Sequence, residues 1–459
     1  MSTARSRQHL SALEAAFLGL ESRDVPFVHA SILSFDRPLG VEALRGLLAA
    51  AFAPIPRYRQ RIAHRRFGAA DWIDDPDDRI EHHVLTASVA APGGTRELDE
   101  LAGRLIATEL PPEHSPWRVW TVTGLADGRG AMIAAFHHAL IDGVAGFRLL
   151  EHAFGAPAPA GSAAPAAAPT QPRRPGKLAA LRRLVSRRNA AALARLLRDG
   201  LRPASQIGLN PARVGAARVV ASHAVDLAAV QATAHAFGAT SNDVVLAAVA
   251  GALRGFLARR DLDPAALRDV RAMVPVARHA RGSREAEGNR VVMLLVPLPV
   301  DEADPVARLR RITAATRALK AGHSAGGGDL LLAASEIVTP AVLIGVLRLS
   351  LRLRGFNLIV TNIPGPTAPL FALGARLLRV TPIVNLWPHQ AVGIAVASYA
   401  GQLVFGLQAD RRVVPDVDRL RDDLAAALDA LRDAATRALA AAPTAVPAAP
   451  REPAAAPGG

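Results

Sequence analysis

The stretch GAPAPAGSAAPAAAPTQPRRPG, from Gly155 to Gly176, most limits what this chain can fold into. It is built largely of alanine and proline, carries no helical or alternating apolar period, and has nothing large to bury. No continuous core can run through it, so it reads as an interdomain linker. A second such segment, from about Ala441 to Gly459, reads as a disordered tail. Two domains are expected, at 1–154 and 206–440, with residues 155–205 as linker and basic helix. A length of 459 residues exceeds one average core and agrees with that division.

Both halves mix strand and helix patterns. In the first, VHASILSF and WRVWTVTGL predict strands, and VEALRGLLAAAF and RELDELAGRLIATEL predict helices. AMIAAF predicts a short buried strand ending at His137, after which GVAGFRLLEHAF resumes as a helix. In the second, SNDVVLAAVAGALRGFLARR predicts a long buried helix. Strands are expected at VRAMVPV, RVVMLLVPLPV, LIVTNI, VGIAVASYA and LVFGLQAD. The chain closes with a helix in which Leu420, Leu424, Leu428 and Leu431 share one face. The fold class is α/β (mixed α+β) in two halves.

Composition removes several chemistries. There is no cysteine, hence no disulfide scaffold, thiolate nucleophile or Cys-based zinc site. MSTARSRQHL leads into LEAAF rather than a long apolar run, so no signal peptide is expected. VVLAAVAGAL and VVMLLVPLPV fall short of the roughly 20 residues a spanning helix needs. A soluble or peripheral cytoplasmic protein is expected. The net charge of +14 is concentrated: Arg173 to Arg202 holds ten Lys/Arg against one acid, Asp199. No aromatic lies in that block, which argues against single-strand nucleic-acid binding. Leu178, Leu181, Leu184, Leu193, Leu196 and Leu197 are interleaved at near-helical spacing. That pattern fits a basic amphipathic helix at a membrane surface, and equally a solvated linker helix packed on its own protein.

The sharpest local feature is AAFHHALIDGVAG, Ala134 to Gly146, with His137 and His138 at a strand-to-helix junction just ahead of Asp142 and Gly143. Three readings stand. A metal site would need further protein ligands, and the other histidines are scattered. A structural pair would have both imidazoles satisfied by backbone groups. A general base would take a proton from a hydroxyl or amine attacking a carbonyl. Asp142 could hold the junction through a buried pair with arginine, with Gly143 permitting the turn.

HHALIDG resembles the HHxxxDG motif of the two-domain CoA-dependent acyltransferase superfamily. Other blocks narrow the resemblance to the bacterial wax ester synthase/diacylglycerol acyltransferase family. LSALEAAFLGLES is similar to its opening segment, and PRYRQRI and DWIDDPDDRIEHHV to its next blocks. SNDVVLA, GNRVVMLLVPLP, TNIPGP and SYAGQLVFGLQAD follow in the family's order, so the similarity spans nearly all of residues 8–435. One block departs: the family's Pro-Leu-Trp stands here as Ser115-Pro116-Trp117, in a segment that shapes the substrate region.

The resemblance implies the chloramphenicol acetyltransferase-like two-domain architecture and transfer of a fatty acyl group from acyl-CoA, as co-substrate, to diacylglycerol or a long-chain alcohol. It implies no metal or further cofactor and no covalent acyl-enzyme. His138 would be the general base, with His137 and Asp142 supporting it. Asn242 and Asp243 become candidates near the oxyanion, against their alternative as a helix N-cap. Asn289 is a substrate candidate or a Gly-Asn turn, and Trp117 a candidate in the substrate region. TNIPGP reads as a tight turn, and His82-His83 as a structural pair. The same fold with another acceptor, and a lipid-surface binding protein without catalysis, remain as alternatives. Membrane or lipid-droplet contact through Arg173–Arg202 is expected, and no nucleic-acid partner.

Overall fold

The computed structural model describes residues 7–64, 70–141, 143–155, 202–278, 290–322, 344–345, 348–349 and 351–441. Asp142, Asn289, the Ala/Pro linker, the basic segment up to Leu201 and the tail from Ala442 lie outside the described residues. The first half runs β1 (Arg7–His9), α1 (Ala12–Leu20), β2 (Val28–Phe35), α2 (Val41–Phe52), β3 (Gln60–His64), β4 (Ala70–Asp74), β5 (Val84–Gly93), α3 (Thr95–Ile106), β6 (Trp117–Leu125), β7 (Gly130–His137) and α4 (Gly143–Phe154). The second runs β8 (Arg218–Asp226), α5 (Leu227–Ala236), α6 (Ser241–Ala258), β9 (Arg271–Arg278), β10 (Arg290–Pro297) and α7 (Pro305–Gly322). It continues through β11 (Leu358–Pro364), β12 (Phe371–Ala372), β13 (Ala375–Ile383), β14 (Val392–Tyr399), β15 (Gln402–Asp410) and α8 (Val417–Ala441).

Two six-stranded sheets dominate, and β1, β4 and β3 form a small third one. The first sheet has the order β12-β13-β2-β7-β6-β5 and the second β10-β9-β11-β14-β15-β8. The expected division at 1–154 and 206–440 is therefore not a division between sheets. Strand β13 pairs antiparallel with β2, Ile383 opposite Ala30 and Val380 opposite Leu33, so the second half supplies the first sheet's edge. Its sequence, ARLLRVTPI, lacks clean alternation and carries Arg379, so the local pattern hides it. The expected turn at TNIPGP is likewise corrected: Thr361 to Pro364 end β11, which pairs in parallel with β14.

Helix α6 explains the second core. It is long and apolar enough to cross a bilayer by length and composition, contrary to the estimate from its apolar run alone, yet most of it is buried inside this molecule. Val245, Leu246, Ala248 and Val249 pack with Leu420, Leu424 and Leu431 of α8, all essentially inaccessible. Each such leucine contributes about 2 kcal/mol on burial. The halves are joined by more than the linker. Helix α3 lies on β8, where Gly103 lets the Arg218 carbonyl approach to 3.1 Å of the position a Cβ would take. There the Ser222 hydroxyl donates to Asp99 at 2.8 Å.

Candidate active site

Strand β7 delivers the histidine pair. It lies between β2 and β6, with His137 opposite Val28 and Phe136 opposite Trp117. The backbone is then fixed three ways: His137 N–H donates to the Pro116 carbonyl (3.0 Å), His138 N–H to the Phe27 carbonyl (2.7 Å), and Leu140 N–H to the His137 carbonyl (2.9 Å). The proline that replaces the family's leucine thus still offers the carbonyl that holds the first histidine.

The two imidazoles meet different surroundings. His137 is buried, its Nδ1 accepts the Ala139 N–H at 3.1 Å, and its Nε2 stands 3.4 Å from Glu21 Oε2. Accepting at Nδ1 places the ring proton on Nε2, facing the carboxylate. His138 is only half-buried. Its ring stacks on Phe17 with centroids 4.4 Å apart and planes 7° apart, and His29 meets it edge-on at 5.4 Å. Burial first, and then the neighbouring His138 and His137, hold the His29 imidazole well below its ordinary value, so it is neutral near pH 7. Phe17, Phe27, Trp387 and Ile359 form one apolar cluster here, drawn from α1, the approach to β2, the β13–β14 connection and β11. The site therefore lies on the seam between the two sheets.

Gly143 opens α4 directly against that seam. A Cβ there would strike Ile363 Cδ1 of β11. Its requirement is room for the neighbouring strand: it is not among the glycines with positive φ that the turn expectation implied. Residues flanking Ile363 divide by strand alternation. Ile359 and Ile363 face the histidine junction, whereas Leu358 and Val360 belong to the core around α6. Asn362 shares the latter parity, and its Nδ2 lies 3.4 Å from Asn242 Oδ1.

Asp243, a candidate near the oxyanion, stands at the third position of α6 and closes a capping box with the N-cap Thr240. It is buried, accepts Thr240 N–H at 2.9 Å and Thr240 Oγ1–H at 2.8 Å, and accepts the Thr316 hydroxyl at 2.7 Å. A carboxylate so occupied has no hydrogen to give an oxyanion. Asn242, one residue earlier in the same first turn, caps nothing: its Oδ1 faces Asn362 Nδ2, and the N-cap itself is Thr240.

Trp117, the candidate in the substrate region, lies in the wall of a cavity. It is 2% exposed, donates its indole N–H to the Tyr58 carbonyl at 2.9 Å, and stacks on His83 at 4.2 Å. It walls a cavity of about 240 Å³ with Phe52, Tyr58, Ile80 and His83. Its tie to the histidines runs through Pro116. The His83 Nδ1 lies 2.9 Å from the Trp117 carbonyl, and its pKa is lowered to about 4, chiefly by burial. His82 has a different setting: Asp77, His82 and His114 bring three donor atoms within 4.8 Å of one another. Arg79 already supplies the cation there, donating to His82 Nε2 at 2.8 Å and to Asp77 at 2.8 Å.

Sequence reasoning did not single out Phe17, Glu21 or His29. Phe17 and Glu21 stand in the LSALEAAFLGLES block and His29 in the predicted strand VHASILSF, but only the β2–β7 pairing brings them to the histidines. Of the basic segment only Arg202 is described, paired with Asp269 at 3.2 Å.

Two six-stranded sheets thus meet over a histidine pair at the end of a central strand, the architecture that the resemblance to the CoA-dependent, two-domain acyltransferases implies. Solved structures agree at the level of fold. The wax ester synthase/diacylglycerol acyltransferase from Marinobacter aquaeolei VT8 superposes with a TM-score of 0.69 at 26% identity, over 94% of this chain and 100% of that one. The first condensation domain of the calcium-dependent antibiotic synthetase gives 0.63 at 20% identity, over 94% and 97%. The wax ester synthase/diacylglycerol acyltransferase catalytic domain matches residues 10–245, and the family's C-terminal domain matches residues 287–432. The probable diacylglycerol O-acyltransferase tgs1 of Mycobacterium tuberculosis H37Rv is 32% identical over 90% of this chain and 93% of its own. Its counterpart tgs2 is 34% identical over 92% and 98%. The chain belongs to the wax ester synthase/diacylglycerol acyltransferase family and is an acyltransferase.

Proposed function

We propose that this enzyme transfers a fatty acyl group from acyl-CoA to the hydroxyl of diacylglycerol or of a long-chain alcohol, with His138 as general base. The observation that carries the reading is the asymmetry of the histidine pair. His137 is buried and turned to Glu21, while His138 is half-buried and stacked on Phe17. In the reaction His138 takes the acceptor's hydroxyl proton as that oxygen attacks the thioester carbon. The C–O bond forms, the tetrahedral adduct collapses with loss of the C–S bond, and the proton passes to the departing CoA sulfur. The imidazole ends neutral, ready for another acceptor. His137 and Asp142 are assigned the support of the junction.

Phe17, Phe27, Trp387 and Ile359 make the protein beside the histidines apolar, which is compatible with acyl chains. Lipid substrates and the net positive Arg173–Arg202 segment support a peripheral cytoplasmic position, at the inner membrane face or at lipid droplets. The test is labelled palmitoyl-CoA offered with diacylglycerol, long-chain alcohol or neither. Label should enter an ester with the intact chain, and fall about 10³-fold with His138→Ala at unchanged melting temperature. Full turnover by that variant would remove His138 from the base role, and label in neither ester would remove the acceptor class.

A further inference from the structure

Helix α1 addresses both imidazoles of the junction. Phe17 and Glu21 are four residues apart, about one helical turn, and both reach the histidine pair. Glu21 Oε2 stands 3.4 Å from His137 Nε2, and the Phe17 ring lies flat on that of His138, centroids 4.4 Å and planes 7° apart. The helix is held at both ends. Ser11 and Glu14 close a capping box at its start, and the Glu21 N–H donates to the Phe17 carbonyl at 3.0 Å at its finish. The plane of the buried Phe17 ring is fixed from both halves of the chain. Phe27, ahead of β2, meets it at 5.7 Å with a 31° tilt, and Trp387, from the β13–β14 connection, at 6.4 Å and 90°. Phe27 and Trp387 also pack on each other at 5.3 Å.

Any apolar side chain of that volume would fill the space, but only an aromatic ring presents a negative face to what lies on it. A neutral imidazole gains little from that face, whereas an imidazolium is attracted to it. His138 passes between those two forms during acyl transfer. The acceptor's O–H bond breaks as the N–H bond forms on the ring, and the ring is neutral again once the proton leaves with the CoA sulfur. The contact is therefore strongest while the positive charge is present, which is what accelerates a reaction. Half-burial withholds part of the hydration of that charge and so increases what the face can return. Among the described residues, the other titratable groups about the ring are His29, His137 and Glu21. His29 on β2 meets it edge-on at 5.4 Å and is neutral near pH 7, and Glu21 is directed at His137.

We infer that Phe17 is a positioning residue: it holds the plane of the His138 ring and, through its π face, steadies the protonated imidazole formed during acyl transfer. That role rests on His138 being the base.

The test replaces Phe17 in the full chain by phenylalanines carrying one, two and three ring fluorines, which withdraw charge from the face while the ring keeps nearly its volume. Acyl transfer from palmitoyl-CoA to diacylglycerol is then followed across pH. With three fluorines the acid limb of kcat/KM should move down by about one pH unit, the size of a partly desolvated cation–π contact. A weaker base takes the proton more slowly, so kcat on the alkaline plateau should fall about threefold with KM unchanged. At the acid end the same variant should be the faster enzyme, by about the same factor, because more of its base is neutral. The two profiles therefore cross, and one fluorine should give part of the effect. Phe17→Leu, which fills much of the volume without a face, should move the limb the same way at a lower melting temperature. A fall by one factor at every pH, or a limb indifferent to fluorine, would overturn the role and leave Phe17 as packing. Titration of the His138 ring by NMR without substrate, its signal assigned by loss in His138→Ala, tests the contact independently of turnover. Its midpoint should fall as fluorines are added, and a constant midpoint would overturn the contact. Full turnover by His138→Ala would instead remove the base, whatever the midpoint does.

Discussion

At the junction, a single peptide bond separates a buried imidazole turned to Glu21 from a half-buried one stacked on Phe17. The same economy of space governs Gly143. As the first residue of α4 it would gain helix propensity from alanine, by up to about 1 kcal/mol, if room were available. The contact with the end of the Ile363 side chain offsets that gain. Gly143→Ala should destabilise the protein by about 1 kcal/mol, because Ile363 must turn its Cδ1 into a less favourable rotamer. Ile363→Val removes the offending methyl group, and the double variant should lose less than the sum of the singles. Melting temperatures of the four proteins form the cycle, and a stabilised Gly143→Ala would show that the strand has space to move. The spacing of HHALIDG displays the pair in the sequence, but not which imidazole is the more buried. Phe17, Glu21 and His29 lie more than 100 positions away and arrive only through non-local strand pairing.

Elements with strong local signals form where the sequence places them. Val28–Phe35 and Trp117–Leu125 are strands over the expected residues, and Val41–Phe52 is a helix over its own. Elements whose identity depends on distant partners are less legible: β5, β8 and β13 are defined by what they pair with, and ARLLRVTPI gives no clean period. The start of α6 was ambiguous for a different reason, since Ser-Asn-Asp suits both a cap and a site. Its hydrogen bonds settle the role of Asp243. Asp243→Ala removes the capping box with Thr240 and leaves the Thr316 hydroxyl only its longer bond to the Thr313 carbonyl, so stability should fall by about 2 kcal/mol. Turnover per folded molecule should stay the same. A variant that keeps its melting temperature and loses turnover would return Asp243 to the site.

Across the whole molecule, the halves share a sheet through β13 and an interface through α3 and β8, so the seam that holds the site is also a structural joint. Asp99 lies in that joint. Burial chiefly raises its pKa to about 7, against the Ser222 hydroxyl hydrogen bond and the charges of Arg379 and Arg421, which favour the carboxylate. His223, beside Ser222 on β8, is held below its usual value by burial and adds no charge at neutral pH. The sign follows from which state binds the proton. Between about pH 4 and pH 7 the folded chain keeps Asp99 protonated while the unfolded chain has lost that proton. Stability from this group is therefore complete at low pH and declines as pH rises through about 7. A shift of about three units corresponds to at most a few kcal/mol. Asp99→Asn fixes the neutral form in nearly the same volume and can still accept from Ser222. Urea denaturation should find this variant equal to the parent near pH 4 and more stable by 1 kcal/mol or more, to order of magnitude, near pH 8. Other acids and histidines act on both proteins alike, so the difference between the two curves isolates this position. A constant difference across that range would mean that Asp99 is ionised in the fold and that the α3–β8 joint is open to water.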